Sequence, residues 1–348
     1  MSAESNIKLP ETEQLIVSTP PHLHGGGSIR KIMLLVILAL APACLAGIYF
    51  FGLNALKILI FCTVFCVAIE VLWGRIAGRP DCWKDCSAAL TGILLAMNLN
   101  AGVPWWLCLI GAAIAIGLGK QLYGGIGYNP FNPTLVARVV LLIGFPKIMT
   151  TWNQPIPGRF IADTVTCATP LGIVKSSPDA AVGNFASIAC PDRLFDYAIG
   201  NVPGCLGETS AVALLVGGLI LICLKIIRWQ VPFAYIGSVA VFAGTVHYFS
   251  PSTNPGIFFH LFTGGLFLGA FFMATDMVTS PMTGKGALIF GLGCGVITCL
   301  IRFWGSYPEG VSFAILIMNA LTPMIDRFTS NKPFGLQEMT VEKKGAAA

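Results

Sequence analysis

Apolar residues occur along the chain in ten long runs, separated by short polar connections. A helix that spans a bilayer needs about 20 mostly apolar residues, and each run reaches or approaches that length. The pattern therefore predicts ten membrane-spanning helices, at approximately 32–51, 56–73, 87–99, 104–118, 134–145, 210–227, 231–249, 256–274, 286–303 and 311–325.

The third and fifth runs, 87–99 and 134–145, are too short to span comfortably. We expect broken or re-entrant segments there. Interrupted helices in membrane proteins usually line a buried site, because unpaired backbone groups cannot face lipid.

Composition supports a membrane protein. Of 348 residues, 55% are hydrophobic and only 11% are charged, against about 25% charged in an average soluble domain. Disorder is excluded by the same figures. The net charge of +5 is not gathered into a basic stripe, so nucleic-acid binding is not expected. The predicted fold class is an all-α polytopic membrane protein of about ten transmembrane helices, some short or broken, with one long outer-face loop.

The distribution of Lys and Arg predicts the orientation of the chain. The first 30 residues contain no apolar core of a signal peptide, so the amino terminus is expected to stay in the cytoplasm. With ten spans, the short outer loops then hold only Lys57 and Arg302. The short inner loops hold seven basic residues, as the positive-inside rule requires: Arg75, Arg79, Lys84, Lys120, Lys225, Arg228 and Lys285.

The chain is thus divided into a cytoplasmic tail at 1–30, a transmembrane domain at 31–325 and a second cytoplasmic tail at 326–348. Within the transmembrane domain, residues 146–209 form one long polar loop that the parity of the spans places on the outer face. Loops of this length in compact domains are usually functional or disordered. The Asp, Pro and aromatic content of this loop favours an ordered, functional one.

The outer loop contains the segment DTVTCATPL at 163–171, which has three hydroxyl side chains within six residues. One interpretation is structural: these hydroxyls cap a helix that begins near Pro170, a position at which Pro is favoured. The other comes from a resemblance. The pattern Asp-x-x-Ser/Thr-x-Ala-Thr is similar to the motif recognised by the bacterial flavin transferase, with Asp163, Thr166, Ala168 and Thr169 in the matching positions. Cys167 stands where the motif often has Gly.

The resemblance extends over nearly the whole chain. Segments 18–33, 124–133 and 271–281 are similar to segments of the RnfD/NqrB family, and the short amino-terminal tail favours the Rnf branch. The resemblance implies that the transferase joins the phosphate of FMN covalently to the hydroxyl of Thr169. It further implies riboflavin as a candidate second, noncovalent flavin. Either Arg159 or Lys175 is a hypothetical partner for the FMN phosphate.

Two further segments are candidates for the second flavin or for an ion. Residues 124–133 concentrate Gly, Asn and Pro between two predicted helices, and include Gly124, Gly125 and Asn132. They form either a tight turn or a close backbone approach to a flat ring. Thr275 and Asp276 follow a strongly apolar run and precede further hydroxyl residues. They form either a capped helix end or a site for a ribityl chain, an anion or a small cation.

Arg138 is predicted about one turn inside the fifth span, where a charge needs a partner. It either snorkels to the cytoplasmic interface or pairs with Glu70, for which Arg75 is another possible partner. The sequence leaves both structural pairing and a role in ion passage open for these charges.

The 12 cysteines do not predict a metal centre. Seven lie in predicted spans, where Cys behaves as a small hydrophobe, and no four-Cys cluster signature is present. Cys190 and Cys205 share the outer loop and would form a disulfide in an oxidising compartment. The four His residues have no ligand-like partners in sequence, so no metal or heme ligation is predicted.

The resemblance implies an electron-transfer subunit of a ferredoxin:NAD oxidoreductase complex in the bacterial inner membrane, coupled to Na⁺ or H⁺ translocation. The implied partners are the outer flavin subunit RnfG, the membrane subunits RnfA and RnfE, the flavin transferase and the lipid bilayer. An NqrB-like subunit of a sodium-pumping NADH:quinone oxidoreductase is the alternative within the family. A secondary transporter is the alternative outside it, and would have no use for a flavinylated threonine.

Overall fold

Among the residues that the structure describes, the regular elements are helices apart from one short β-ladder, which confirms the predicted all-α class. The computed structural model describes residues 28–79, 81–158, 165–176, 191–251 and 254–330. Six helices in these ranges are long and apolar enough to cross a membrane. They are α1 (Ile29–Phe51), α2 (Leu53–Ile76), α4 (Trp105–Ala113, continued by a π-helical turn at Ile114–Leu118), α10 (Gln230–Phe249), α13 (Gly284–Trp304) and α14 (Val311–Thr329).

Three predicted spans are short apolar helices. They are α3 (Ser87–Met97), α5 (Pro133–Gly144) and α9 (Ala211–Cys223). The prediction that the third and fifth runs are shortened is therefore confirmed. The last helix extends to Thr329, four residues beyond the predicted limit of the transmembrane domain.

The predicted eighth span is broken rather than continuous. It consists of α11 (Ile257–Phe262), an extended turn at Thr263–Gly265, α12 (Leu266–Leu268) and a π-helical turn at Gly269–Met273. Gly264 has a φ of +75°, a conformation that breaks the helix and that Gly tolerates best. The wider turns of a π-helix are frequently found at functional sites.

The loop at 146–209 contains several short elements among its described residues. These are α6 (Pro146–Met149), an antiparallel pair of β1 (Trp152–Asn153) and β2 (Thr166–Cys167), α7 (Pro170–Ser176), α8 (Pro191–Ile199) and a 3₁₀ turn at Leu206–Glu208. Backbone N–H groups of Ile156 and Gly158 donate to carbonyls of Phe50 and Tyr49. The loop is thereby attached to the end of α1.

Small residues allow the helices to approach closely. A Cβ at Gly217 in α9 would overlap the backbone carbonyl of Ala39 in α1, and a Cβ at Gly295 in α13 would overlap the hydroxyl of Ser238 in α10. In lipid, helix association depends on such close packing rather than on the hydrophobic effect. These contacts pack α9 against α1 and α13 against α10.

Two cavities lie at opposite ends of the bundle. The first turns of α1, at Ile32 and Met33, line one cavity, which we call the inner cavity. The far end of α1 contacts the 146–209 loop, which lines the other, the outer cavity. Because α1 has 23 residues, its own ends are roughly 34 Å apart at a rise of about 1.5 Å per residue. The cavities reach inward from these ends, since Asn132 and Arg138, six positions apart, line the inner and the outer cavity.

Candidate functional site

Thr169 is held at the start of α7. Its Oγ1 accepts a hydrogen bond from the backbone N–H of Gly172 at 3.1 Å, and its carbonyl accepts from the N–H of Ile173 at 2.9 Å. The predicted helix start near Pro170 and the predicted hydroxyl cap are thus both confirmed. The side chain is buried, with 5% of the residue exposed. A Cβ at position 172 would lie 3.0 Å from Oγ1, so Gly172 leaves space beside the hydroxyl.

The other residues of the 163–169 motif have different surroundings. Thr166 lies in β2, opposite Asn153 of β1, and is exposed. Ala168 is exposed and lies on the wall of the same cavity as Thr169. Asp163 and Arg159 lie outside the described residues. The β-ladder therefore fixes the backbone that leads to Thr169.

The outer cavity adjoins Thr169 and has a volume of about 290 Å³. This is near the lower end of the range for small-molecule sites. Its walls combine flat or apolar side chains with a few polar groups, as is usual for sites that bind planar ligands. The aromatic members are Trp152, Tyr307 and Phe313, and the charged members are Arg138 and Glu309.

Arg138 is paired inside the protein, with 7% of the residue exposed. Its Nη2 forms an ion pair with Glu309 and approaches the Cys205 thiol at 3.5 Å, and its Nη1 donates to Asn98 Oδ1 at 2.5 Å. Of the two roles open for Arg138, pairing is present in the structure, and ion passage stays a prediction. The predicted partner Glu70 and the snorkelling alternative are wrong, because the side chain of Arg138 is buried beside Glu309 and lines the outer cavity.

Glu208 completes this charged cluster. Oxygens of Glu208 and Glu309 and the Cys205 sulfur lie within 4.8 Å of one another. Oε1 of Glu208 is buried and has no hydrogen-bond partner among the described residues. Such a set resembles a metal site, and the guanidinium of Arg138 forms an ion pair with one of its two carboxylates, that of Glu309.

Lys175 is attached to backbone carbonyls. Its ammonium donates to the carbonyls of Ile301 at 3.0 Å, Arg302 at 3.3 Å and Tyr307 at 2.7 Å. Partial burial lowers the pKa of Lys175 below its ordinary value. These bonds connect α7 to the turn after α13, so Lys175 fixes the shape of the outer cavity rather than extending freely into it.

The inner cavity brings together three of the predicted residues of the second site. Asn132, Thr275 and Asp276 all line it, and its volume is about 100 Å³. Asn132 caps α5 by accepting from the N–H of Thr134 at 3.1 Å, and its Nδ2 donates to the carbonyl of Met273 at 3.2 Å. The two candidate segments are therefore in direct contact through this amide.

Gly124 and Gly125 are not among the residues that line the inner cavity. Both have positive φ, at +113° and +103°, and the carbonyl of Gly124 accepts from Arg79 Nη1 at 2.5 Å. These features correspond to the tight-turn interpretation of the segment.

Glu70 pairs with Lys120 beside the inner cavity, not with Arg138 or Arg75 as predicted. Lys120 Nζ also donates to Ser87 Oγ at 2.6 Å, and Gln121 Nε2 donates to the same Glu70 oxygen at 3.1 Å. The pairing was missed because Lys120 looks like an ordinary inner-loop cation in sequence, whereas the structure buries it.

Cys205 is buried, and its thiol donates to the carbonyl of Asn98 at 3.3 Å. Cys190 lies outside the described residues, so the disulfide stays a prediction. Glu309, Trp152 and Tyr307 were not singled out from the sequence. Glu309 lies in the short turn between α13 and α14, and an acidic residue between two spans is the signal that identifies it.

Comparison of the sequence with those of known proteins identifies its family. A sequence model described as the NQR2, RnfD, RnfE family matches residues 16–335. The chain belongs to this family. It is 43% identical over 330 residues to the D subunit of the Na⁺-translocating ferredoxin:NAD⁺ oxidoreductase complex of Acetobacterium woodii, covering 95% of this chain and 98% of that one.

Other members of the NQR2, RnfD, RnfE family are similar over equally long stretches. Identity is 42% to the D subunit of the proton-translocating ferredoxin:NAD⁺ oxidoreductase complex of Clostridium ljungdahlii, with 96% and 99% of the two chains covered. It is 36% to the D subunit of the ion-translocating oxidoreductase complex of Vibrio cholerae, with 92% and 99% covered. The resemblance expected from the motifs is confirmed at the level of family.

Proposed function

We propose that this chain is the electron-carrying D subunit of an ion-translocating ferredoxin:NAD⁺ oxidoreductase complex. The names of its relatives support this assignment. We further propose that Thr169 holds FMN through a phosphoester at Oγ1. The observation that carries this second proposal is a buried threonine hydroxyl beside a ligand-sized cavity, within a motif that matches flavinylated proteins.

The residues around Thr169 suit a flavin. Trp152, Tyr307 and Phe313 offer flat surfaces for a planar ring and exclude water from it. Gly172 leaves room beside the hydroxyl for a substituent. A bound flavin would supply the redox chemistry, while the protein fixes its position and its electrostatic surroundings. Lys175 stabilises the cavity by joining α7 to the turn after α13.

The inner cavity is proposed as the site of a second, noncovalent ligand, for which riboflavin is the candidate that the family resemblance supplies. At about 100 Å³ the cavity is below the usual range for small-molecule sites, so riboflavin would require its walls to move apart. Asn132, Thr275 and Asp276 present amide, hydroxyl and carboxyl groups there, between apolar walls that include Phe271. Such groups suit hydrogen bonding to a ribityl chain. Asp276 Oδ2 also accepts from Thr279 Oγ1 at 3.3 Å, which orients the carboxyl group.

The second site has its own test. Full-length protein is purified and denatured, and the released flavin is quantified by chromatography. Asp276→Asn and Asn132→Ala should lower the released flavin while leaving covalent fluorescence on the polypeptide. Asn132→Ala also removes a helix cap, worth about 1 kcal/mol, so Asp276→Asn is the cleaner variant. Unchanged release from Asp276→Asn would exclude this carboxyl as a flavin ligand.

In this proposal the chain lies in a bacterial inner membrane, with both termini in the cytoplasm and the Thr169 loop on the outer face. The excess of basic residues in the predicted inner loops supports that orientation. The proposed partners are RnfG at the outer face and RnfA and RnfE in the membrane, with the flavin transferase acting during maturation.

Fluorescence of the denatured chain on a gel tests the covalent site. Wild type and Thr169→Val are each coexpressed with the flavin transferase and compared at equal amounts of protein. We expect fluorescence from wild type and none from Thr169→Val, because Val keeps the size but removes the acceptor oxygen. Thr150→Val is the matched control, since Thr150 lines the same cavity and its loss should leave fluorescence intact.

A third variant separates loss of the hydroxyl from misfolding. Thr169→Ser keeps both the hydroxyl and the helix cap, so it should retain fluorescence. A dark wild-type band, beside an active control substrate of the transferase, would refute covalent attachment. The assignment to the D subunit would still stand on the relatives, but electron transfer would then require the second, noncovalent flavin.

A further inference from the structure

Arg138 contributes a fixed positive charge to the wall of the cavity beside Thr169. It is buried, and it lines the outer cavity together with Ala168 and Thr169. An arginine side chain stays protonated at every pH at which a protein is folded. The cavity therefore holds this positive charge permanently, whatever the state of its other groups.

The orientation of that charge is fixed by specific contacts. Nη1 donates to Asn98 Oδ1 at 2.5 Å, while Nη2 pairs with Glu309 and approaches Cys205 Sγ at 3.5 Å. Glu309 is the acidic residue in direct contact with the guanidinium among the described residues, and it too lines the outer cavity. Arg138 thus has little freedom to turn away from the cavity.

Glu208 extends the cluster towards Thr169. A space of about 10 Å³ is lined by Thr169, Glu208 and Glu309, which is room for about one water molecule. Gly265 lies against the cluster, since a Cβ there would be 3.7 Å from Glu208 Oε1 and 4.0 Å from Arg138 Nη1. The charges and the Thr169 hydroxyl therefore share one small region with little solvent.

We propose that Arg138 sets the reduction potential of the flavin attached at Thr169, and that Glu309 positions Arg138 and opposes its effect. A flavin ring gains negative charge on reduction, and a nearby fixed cation favours the reduced state. The effect is stronger where water is excluded. This inference rests on the proposed function, because it requires a flavin at Thr169.

The experiment is a spectroelectrochemical titration of the purified full chain, coexpressed with the flavin transferase. Subtracting the same titration of Thr169→Val isolates the covalent flavin from any noncovalent one. Arg138→Gln should lower the equilibrium constant for one-electron reduction at least tenfold, which is about 59 mV. Glu309→Gln should shift the potential in the opposite direction. Arg138→Lys keeps the charge and should remain close to wild type.

The matched control is the double variant Lys120→Met with Glu70→Leu, which removes a buried cation together with its glutamate partner and leaves no unpaired charge. Lys120 is also a buried cation paired with a glutamate, but it lines the inner cavity. Removal of this pair should leave the potential of the Thr169 flavin unchanged. A purely structural effect of cluster mutations would not produce shifts of opposite sign for Arg138→Gln and Glu309→Gln.

Gel fluorescence distinguishes the two ways of failing. Fluorescent Arg138→Gln and Glu309→Gln proteins with wild-type potentials would overturn this inference and leave the covalent flavin in place. A wild-type chain without fluorescence would overturn the proposed covalent flavin at Thr169 and this inference together. If Arg138→Gln does not fold, the reduction potentials of Glu309→Gln and Arg138→Lys are measured instead. An unchanged potential in Glu309→Gln then refutes the inference.

Discussion

The buried ion pair between Lys120 and Glu70 gives the sharpest prediction about stability. Replacing Lys120 by Met removes the cation and leaves the Glu70 carboxylate inside the bundle. Glu70 has only 1% of its surface exposed, and its Oε2 has no hydrogen-bond partner among the described residues. The remaining polar contact of Oε1 would be the amide of Gln121. We therefore expect Lys120→Met to destabilise the protein strongly.

The expected loss of stability is about 4 kcal/mol. Removing one partner of a buried ion pair typically costs about 3–5 kcal/mol. The Coulomb energy for unit charges about 4 Å apart, at an effective dielectric constant of about 20, is similar, at about 4 kcal/mol. At about 2 °C per kcal/mol for a chain of this size, the apparent melting temperature should fall by about 6–10 °C.

The assay is thermal unfolding of the full chain in a mild detergent, followed by tryptophan fluorescence. The double variant Lys120→Met with Glu70→Leu should recover most of the loss, because replacing both partners leaves no uncompensated charge. Lys57→Met is the control, since Lys57 is an exposed lysine of the same helix α2. A double variant no more stable than Lys120→Met would refute the reasoning.

Two further predictions concern close packing at glycines. Gly172→Val should reduce flavin fluorescence on gels, because a Cβ there lies 3.0 Å from Thr169 Oγ1 and crowds the acceptor; full fluorescence would contradict this steric explanation. Gly217→Val should lower the melting temperature, since its side chain would overlap the Ala39 carbonyl, and overpacking costs about 1–3 kcal/mol or more. Gly237→Val is the control for both, because nothing lies within 4 Å of its Cβ position. Equal melting temperatures for the two valine variants at 217 and 237 would refute the second prediction.

The helical architecture was predictable from sequence because apolar run length is set directly by the lipid environment. The shortened helices at 87–97 and 133–144 were recognised on the same basis. The break in the eighth predicted span was not recognised, because its residues are almost all apolar. The sequence signal for a break is the adjacent pair Gly264 and Gly265. A glycine pair also occurs within continuous helices, and the tertiary contacts of these two decide that the helix breaks here.

The candidate site was predictable only where the chemistry is local in sequence. Thr169 lies in a recognisable motif, and Asn132, Thr275 and Asp276 occur in polar segments between spans. The partners of charged residues were not predictable. Arg138 pairs with Glu309, which lies 171 positions further along the chain, and no periodic pattern links such distant residues. These pairs depend on the tertiary fold. A charged side chain buried in the bundle needs an opposite charge, and it pairs with the one that lies next to it in the folded protein.

The broken stretch after α11 has a mechanical consequence. Gly265, at one end, lies against Glu208 and Arg138 of the outer cluster, while Thr275, ten positions later, lines the inner cavity. The carbonyl of Met273 in the same stretch is bonded to Asn132. The two cavities are thus joined by a single short length of backbone, within which a π-helical turn has replaced regular helix. A displacement of Gly265 must therefore be absorbed by that turn or reach the residues of the opposite cavity.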